Sequence, residues 1–496
     1  MIIRHKYITS SVCAILLMTL VSCKREFLEI IPKGQTVAVN TDDYEKLLNT
    51  FYLSMLFEAG VYRGDEMAAV QPHFNNISNS PINRRQQRLF QYEDRVYDQD
   101  QLPDEVTYTS GPIRRLYLLN KIINEIMDSK NGTEAKKKAL LAEAKTARAM
   151  CNFMFLTDFT LPYNAATATT TLGIPKLTEA DVTQKEFRRG TLQEAYDLII
   201  ADLTEALPDL GPVTHRRKLS RLAAEFYLAR VYMTMHNYTA AKTHIDNAFL
   251  ELPKATIPLE LYDYTVVLNP DNPTAPGTWF PDNGFGLSNE PIAANNTQVI
   301  YNISSGWFQL QSVDAFTLSP ETISLFDPTD RRLSLFTPFE IFSTKAHPLG
   351  MRRRTNGFFS GIDVGPSLPD MYLMRAEIRA RSNDLPGAVS DLEALRVKRI
   401  PGANYAVPSG VAGNQQALVR FILDERIREF SFTGLRWLDM RRLSQDPVYS
   451  DHVDYTHEVY NQDGSVQATY VLRPERFALK YGERMLEENN GLQEND

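Results

Sequence analysis

The sequence predicts a mainly α-helical fold: a scaffold of helical hairpins that carries a long, irregular, loop-rich insertion and little strand. Three observations carry that expectation. Two stretches, "LARVYMTMHNYTAAKTHIDNA" and "RAEIRARSNDLPGAVSDLEAL", place small and large apolar residues at matching spacings. Other segments repeat apolar residues every three or four positions, which is the helical period. Between the two matching stretches, roughly 115 residues (251–367) show almost no such period and are rich in Pro, Gly, Asn and aromatic side chains.

At the N-terminal end, Arg4, His5 and Lys6 precede an apolar run of ten residues, Val12–Val21. The run is too short to cross roughly 30 Å of hydrocarbon as a helix. A basic start followed by a short apolar run is the build of a cleavable export leader. Leu20, Val21 and Ser22 then lead into Cys23. From these residues alone, Cys23 sits beside an ordinary cleavage site, in a short anchor, or at the mature N-terminus. Loss of Arg4 and Lys6 with the leader takes the formal charge from −8 to about −10. With no basic excess, a nucleic-acid partner is set aside.

A first irregular stretch, 64–110, comes before the helix announced by Leu116, Leu119, Ile123 and Ile126. Ala139–Phe159 is alanine-rich and then aromatic, as a buried helix would be, and Cys151 inside it reads as a small core residue. Thr191 and Glu194 form a capping box ahead of the stripe Leu192, Ala195, Ile199, Leu203 and Ala206.

In the first matching stretch, Ala229 is followed by Tyr238, Ala241 and Ile245; in the second, Ala376 is followed by Leu385, Ala388 and Leu392 at the same three intervals. A small residue on each of two helices lets their backbones approach, and the large residues fill the groove beside the contact. Turns are expected at His236–Asn237 and Ser382–Asp384. The spacings are similar to those of the tetratricopeptide repeat, although Arg379 and Leu395 stand where the first copy has Tyr232 and Ala248. A last stripe, Leu418–Phe430, is expected to stop at Gly434.

Motifs for chemistry are sparse. H-E-x-x-H, C-x-x-C, Walker A, G-x-G-x-x-G and G-x-S-x-G do not occur, and the eight histidines are scattered, so neither a metal nor a cofactor is expected. "DQDQLPDE" lacks the glycine and bidentate glutamate of a calcium loop and reads as a solvated acidic loop. Glycosidase chemistry needs two carboxylates placed in space, and nothing in the sequence marks such a pair. The densest charged motif runs from Asp424 to Arg442. Glu425, Arg428, Arg436 and Asp439 there read as a partly buried ion-pair network fastening the last helix to its neighbours, the alternative being an activated acid. "MRRRT", Met351–Thr355, reads as an exposed loop.

Taken in order, these elements resemble the SusD/RagB family of outer-membrane lipoproteins from the Bacteroidota. The resemblance rests on Phe27, Leu28, Pro32 and Gly34 after the cysteine, then on Glu143, Ala144, Arg148, Ala149 and Phe153. It continues with Gly173–Pro175, Ala195–Leu203, Tyr227–Tyr232 and Tyr372–Glu377, and closes with Glu425, Arg426, Glu429, Phe430 and Gly434–Asp439. Near the C-terminus the chain has Lys480, Tyr481 and Gly482 where the family has a P-I-P turn.

The resemblance implies a leader over residues 1–22 and a single domain over 23–496, with helical repeats at about 116–250 and 368–442 and ligand-facing parts at about 64–110 and 251–367. It implies that Cys23 carries a lipid, so that Cys151 has no disulfide partner and the core alone holds the fold. It also implies a non-enzymatic, surface-exposed binding protein, anchored to the outer membrane by its N-terminal lipid. Such a protein captures a glycan, or in some members a peptide, and passes it to a SusC-like TonB-dependent transporter. The other readings are a tetratricopeptide assembly scaffold without a ligand of its own and, more distantly, a glycan-cleaving enzyme.

A glycan site needs exposed rings beside short polar groups. The helices place their aromatic residues on apolar stripes, which leaves the irregular stretches. The candidates are Trp279 with Asp282 and Asn283, Trp307 with Asn302, and Phe74 with Asn75. Each ring serves either its own loop's core or the ligand, and at least one of the three is expected in the site.

Overall fold

The structure is a computed structural model. It describes residues 38–49, 58–77, 81–98, 102–181, 183–184, 186–268, 279–282, 286–288, 295–303, 313–355, 363–489 and 491–496. The fold is mainly α-helical. Its principal helices are α1 (Leu102–Glu125), α2 (Glu134–Phe159), α3 (Leu192–Ala206), α4 (Arg221–Thr234), α5 (Tyr238–Glu251), α6 (Leu368–Arg381), α7 (Leu385–Arg396), α8 (Gln415–Phe430) and α9 (Leu435–Leu443).

The two matching stretches form the hairpins α4–α5 and α6–α7. Ala229, Ala241, Ile245 and Ala248 in one, and Ala376, Ala388, Leu392 and Leu395 in the other, are fully buried. The turns correspond as well. His236 and Asn383, seven residues after the two alanines, both take left-handed backbone (φ 59° and 63°), and Asn237 and Asp384 then cap α5 and α7. At one pair of positions the copies diverge chemically. Tyr232 stacks on His244 in the first hairpin (5.4 Å, 7°), and at the same two positions Arg379 pairs with Asp391 in the second (2.7 Å). A ring stack and an ion pair thus hold the same helical crossing.

The capping box forms as read: Glu194 N–H donates to Thr191 Oγ1, and the Glu194 carboxylate accepts from Thr191 N–H. Helix α8 ends at Phe430, but Gly434 does not close it. At φ 84° Gly434 is the N-cap of α9. Cys151 is buried in α2, where burial pushes its thiol up to about 12. Because the thiolate is the reactive form, iodoacetamide at pH 8 is expected to leave Cys151 unmodified in the folded chain and to alkylate it after denaturation. Labelling of the native protein within minutes would contradict that placement.

The stretch 64–110, expected to be irregular, instead holds strand β1 (Met67–Val70), a helix at Pro81–Phe90 and the first residues of α1. Strand β1 lies within a four-stranded sheet with β2 (Phe316–Leu318), β3 (Thr456–Tyr460) and β4 (Val466–Val471), in the order β4-β3-β1-β2. β1 is antiparallel to β2, with Ala68 opposite Thr317, and parallel to β3, with Ala69 opposite Val459. One face of the sheet receives Phe74, Phe90 and Phe316, packed edge to face or tilted at 5.2–5.9 Å. His457 is buried between Phe90 and Tyr92, stacked at 4.2 and 4.5 Å. The "MRRRT" segment is not an exposed loop. Met351 is fully buried, and Arg353–Arg354 form a short strand paired with Phe336–Thr337, which buries the Arg353 side chain.

Candidate functional site

Two of the rings expected at the site belong to the core. Phe74 is 1% exposed, caught between Phe90 and Phe316. It lies on the one-turn helix His73–Asn76, where successive residues point about 100° apart. Burying Phe74 therefore leaves Asn75 and Asn76 outside, and both are exposed. Trp279 is 6% exposed, with Tyr262 and Tyr264 against it at 5.0 and 5.6 Å. Neither ring can serve as a stacking surface without unpacking its neighbours.

Trp307 and Asn283 lie outside the described residues. Asp282 ends the strand Phe280–Asp282, and its side chain lies outside them too. Asn302 is half-buried, its N–H donating to the Arg216 carbonyl at 2.8 Å. Of the residues read as ligand-facing, Asn75 is exposed; its Oδ1 accepts from Gln71 Nε2 at 3.0 Å.

The surface rings come from a segment not singled out in the sequence. Among the described residues, Phe339 (45% exposed) and Phe342 (61%) are the most exposed aromatic side chains. They sit at the end of a hairpin in which Phe336–Thr337 pairs with Arg353–Arg354 and Phe339 opposes Ala346. A turn closes it. Ser343 N–H donates to the Glu340 carbonyl at 3.2 Å, and Glu340 N–H to the Lys345 carbonyl at 2.9 Å. Phe342 is the third residue of that turn and takes φ 55°, a position that ordinarily goes to Gly or Asn. Holding a large apolar side chain there costs on the order of 1 kcal/mol of backbone strain and exposes it to water.

The hairpin is pinned from beneath. Asp314, just before β2, accepts from Ile341 N–H at 2.9 Å and pairs with Arg353 Nε at 3.1 Å. Glu340 pairs with Lys345 (2.6 Å) and with His73 Nε2 (3.0 Å), which ties the hairpin to the helix bearing Asn75. Burial works against ionised Glu340, yet hydrogen bonds from Lys345 and His73 hold its carboxyl below the usual range. Burial raises the carboxyl of Asp314. What results is a pinned turn carrying two exposed rings with the Glu340 carboxylate, Lys345 and His73 beside them. That arrangement can stack on an apolar face and hydrogen-bond hydroxyls around its rim.

A second concavity of about 320 Å³ lies on the other face of the sheet, lined by Asp65, Glu321, Asp424, Arg436, His452, Glu458 and Tyr460 among others. Its polar groups serve one another. Arg436 pairs with Asp65 (2.6 Å), His452 with Asp424 (2.9 Å), and the Tyr460 hydroxyl donates to Glu458.

Glu425, Arg428, Arg436 and Asp439 are all buried and ion-paired. Glu425 meets Arg332 and Arg428 at 2.7 Å each, and also Arg396. Asp439 joins Arg426 (2.7 Å) and Arg442 (2.8 Å). Arg426 reaches Asp370 on α6, which also binds Arg230 on α4, so the chain of charges crosses from α9 to both hairpins. With every carboxylate held by arginines, this is architecture, and none of these carboxylates is placed as a free acid or base.

The comparisons with known proteins agree on one family. A family model described as "Starch-binding associating with outer membrane", of the SusD-like type, matches residues 26–233, and the SusD family model matches residues 368–491. No curated protein matches the chain. Among solved structures, a putative sugar binding protein from Bacteroides vulgatus superposes with a TM-score of 0.69 at 19% identity, over 93% of this chain and 99% of that one. A SusD superfamily protein from Bacteroides thetaiotaomicron gives 0.68 at 17% identity, over 92% and 100%. A SusD-like carbohydrate binding protein from Bacteroides vulgatus gives 0.63 at 16% identity, over 92% and 97%.

Proposed function

The chain belongs to the SusD/RagB family, and from that premise we propose that it is a surface lipoprotein that binds a glycan and delivers it to a TonB-dependent outer-membrane transporter. The observation that supports a glycan is the hairpin: two exposed rings on either side of Glu340, which pairs with His73 and Lys345. Sugar rings offer an apolar C–H face to an aromatic plane and hydroxyls to amides and carboxylates. Two proteins of the same fold, a putative sugar binding protein and a SusD-like carbohydrate binding protein, point the same way. The role is binding, not catalysis. The soluble chain carrying Cys23→Ser should be retarded in gels containing at least one member of a polysaccharide panel that includes starch, and should release no reducing sugar. Turnover that survives repurification would reject the binding role.

Anchoring is assigned to Cys23, which lies outside the described residues. No helix among the described residues is long and apolar enough to cross a membrane. If the thiol carries lipid, Cys23→Ser is expected to move the protein from the membrane fraction to the soluble one, because acyl chains supply the attachment. Retention of the variant in the membrane fraction would refute this assignment.

A further inference from the structure

Beneath the two exposed rings lies a histidine that the binding role does not use. We propose that His347 makes the Phe339–Ala346 hairpin a proton-sensitive latch, in which uptake of a proton opens the turn and displaces the rings. The His347 side chain is fully buried, and neither ring nitrogen has a hydrogen-bond partner. The carboxylate oxygen facing it, Asp314 Oδ1, is 3.9 Å from Nε2. Every charge around it is already matched. Asp314 is taken by Ile341 N–H and Arg353, and Glu340 by Lys345 and His73. A proton on His347 would therefore find no unoccupied carboxylate, and it would stand among the like charges of Arg353 and Lys345.

Burial, only partly offset by Glu340 and reinforced by Arg353, pushes His347 down to about 4. In the opened hairpin the ring returns to water and to an ordinary value of about 6.5. The folded value is the depressed one, so the stability contributed by neutral His347 is fully present above about pH 6.5. It is lost as pH falls toward 4. Between pH 7 and pH 5 these two values imply a rise of about 20-fold in the open fraction. Release of ligand on opening rests on the binding role proposed for the rings, but the opening itself does not.

The test is hydrogen exchange on the full chain carrying Cys23→Ser. It follows the amides of Glu340, Ile341 and His347, whose N–H groups bond Lys345, Asp314 and Pro338. After correction for intrinsic rates, protection at these amides is expected to fall about 20-fold from pH 7 to pH 5. In His347→Gln it should change less than twofold. A second variant, His347→Asn, should likewise change less than twofold, so the proposal stays testable if His347→Gln does not fold. Constant protection in the parent, or an equal fall in either variant, would overturn the latch. Gel retention of glycan at pH 7 reads the rings separately: a pH-dependent hairpin with no glycan bound would leave the latch standing and reject the ligand reading.

Discussion

Glu425→Gln is expected to cost about 3–5 kcal/mol of folding stability, measured by urea unfolding, because it strips charge from the centre of a buried network. Glu425 has no solvent exposure and is shared by Arg332, Arg396 and Arg428. With Asp330 and Glu429 it sets three carboxylates against those three guanidinium groups and Arg399. Without it two carboxylates face four buried cations, a desolvation cost that no rearrangement within a packed core relieves. Glutamine keeps the shape, so the loss reports charge and not volume. The neighbouring surface pair Arg420–Asp451 is the internal control. Its partners are 38% and 67% exposed, and Asp451→Asn should cost less than about 1 kcal/mol. A loss under about 1 kcal/mol for Glu425→Gln would mean that the network is not a structural fastening.

The helical scaffold was legible because its signals are local. A repeated small residue and its partners at nine, twelve and sixteen positions report a hairpin within about 20 residues of sequence, and Thr191 with Glu194 reports a helix start within four. The sheet was not legible. Its strands run three to six residues, too short for alternation to stand out, and β1 finds its partners some 250 and 390 residues away. The Asp424–Arg442 segment shows that it is charged, but not that Arg332 and Arg230 reach it from distant elements.

At the candidate site, the motif "HFNN" joins a ring to amides, but which of them faces water depends on what packs beneath the helix. The sheet takes the ring. The hairpin carries a local signal of its own. In "TPFEIFSTKAHP" two phenylalanines three apart run into Ser, Thr and Lys, residues that favour turns and solvent, so at least one ring had to sit near a turn. Burying both in so short a connection would have needed more apolar partners than it carries.

The rings carry the second large effect. Phe339→Ala and Phe342→Asn are each expected to weaken glycan binding by roughly tenfold, about 1.4 kcal/mol apiece. They should leave the helical circular dichroism unchanged. Phe342→Asn has an added consequence: asparagine tolerates the left-handed backbone at φ 55°, so the variant should be as stable as the parent or more stable by up to about 1 kcal/mol. Weaker binding together with equal or greater stability marks a residue kept for contact and not for folding.

The measurement that tests the account most directly is affinity electrophoresis of the Cys23→Ser chain beside the Phe339→Ala/Phe342→Asn double variant, in gels containing whichever polysaccharide retards the former. The account predicts that the double variant migrates as it does in a gel without polysaccharide, while its melting transition is preserved. Retardation of a folded double variant equal to that of the parent would show that the glycan is held elsewhere.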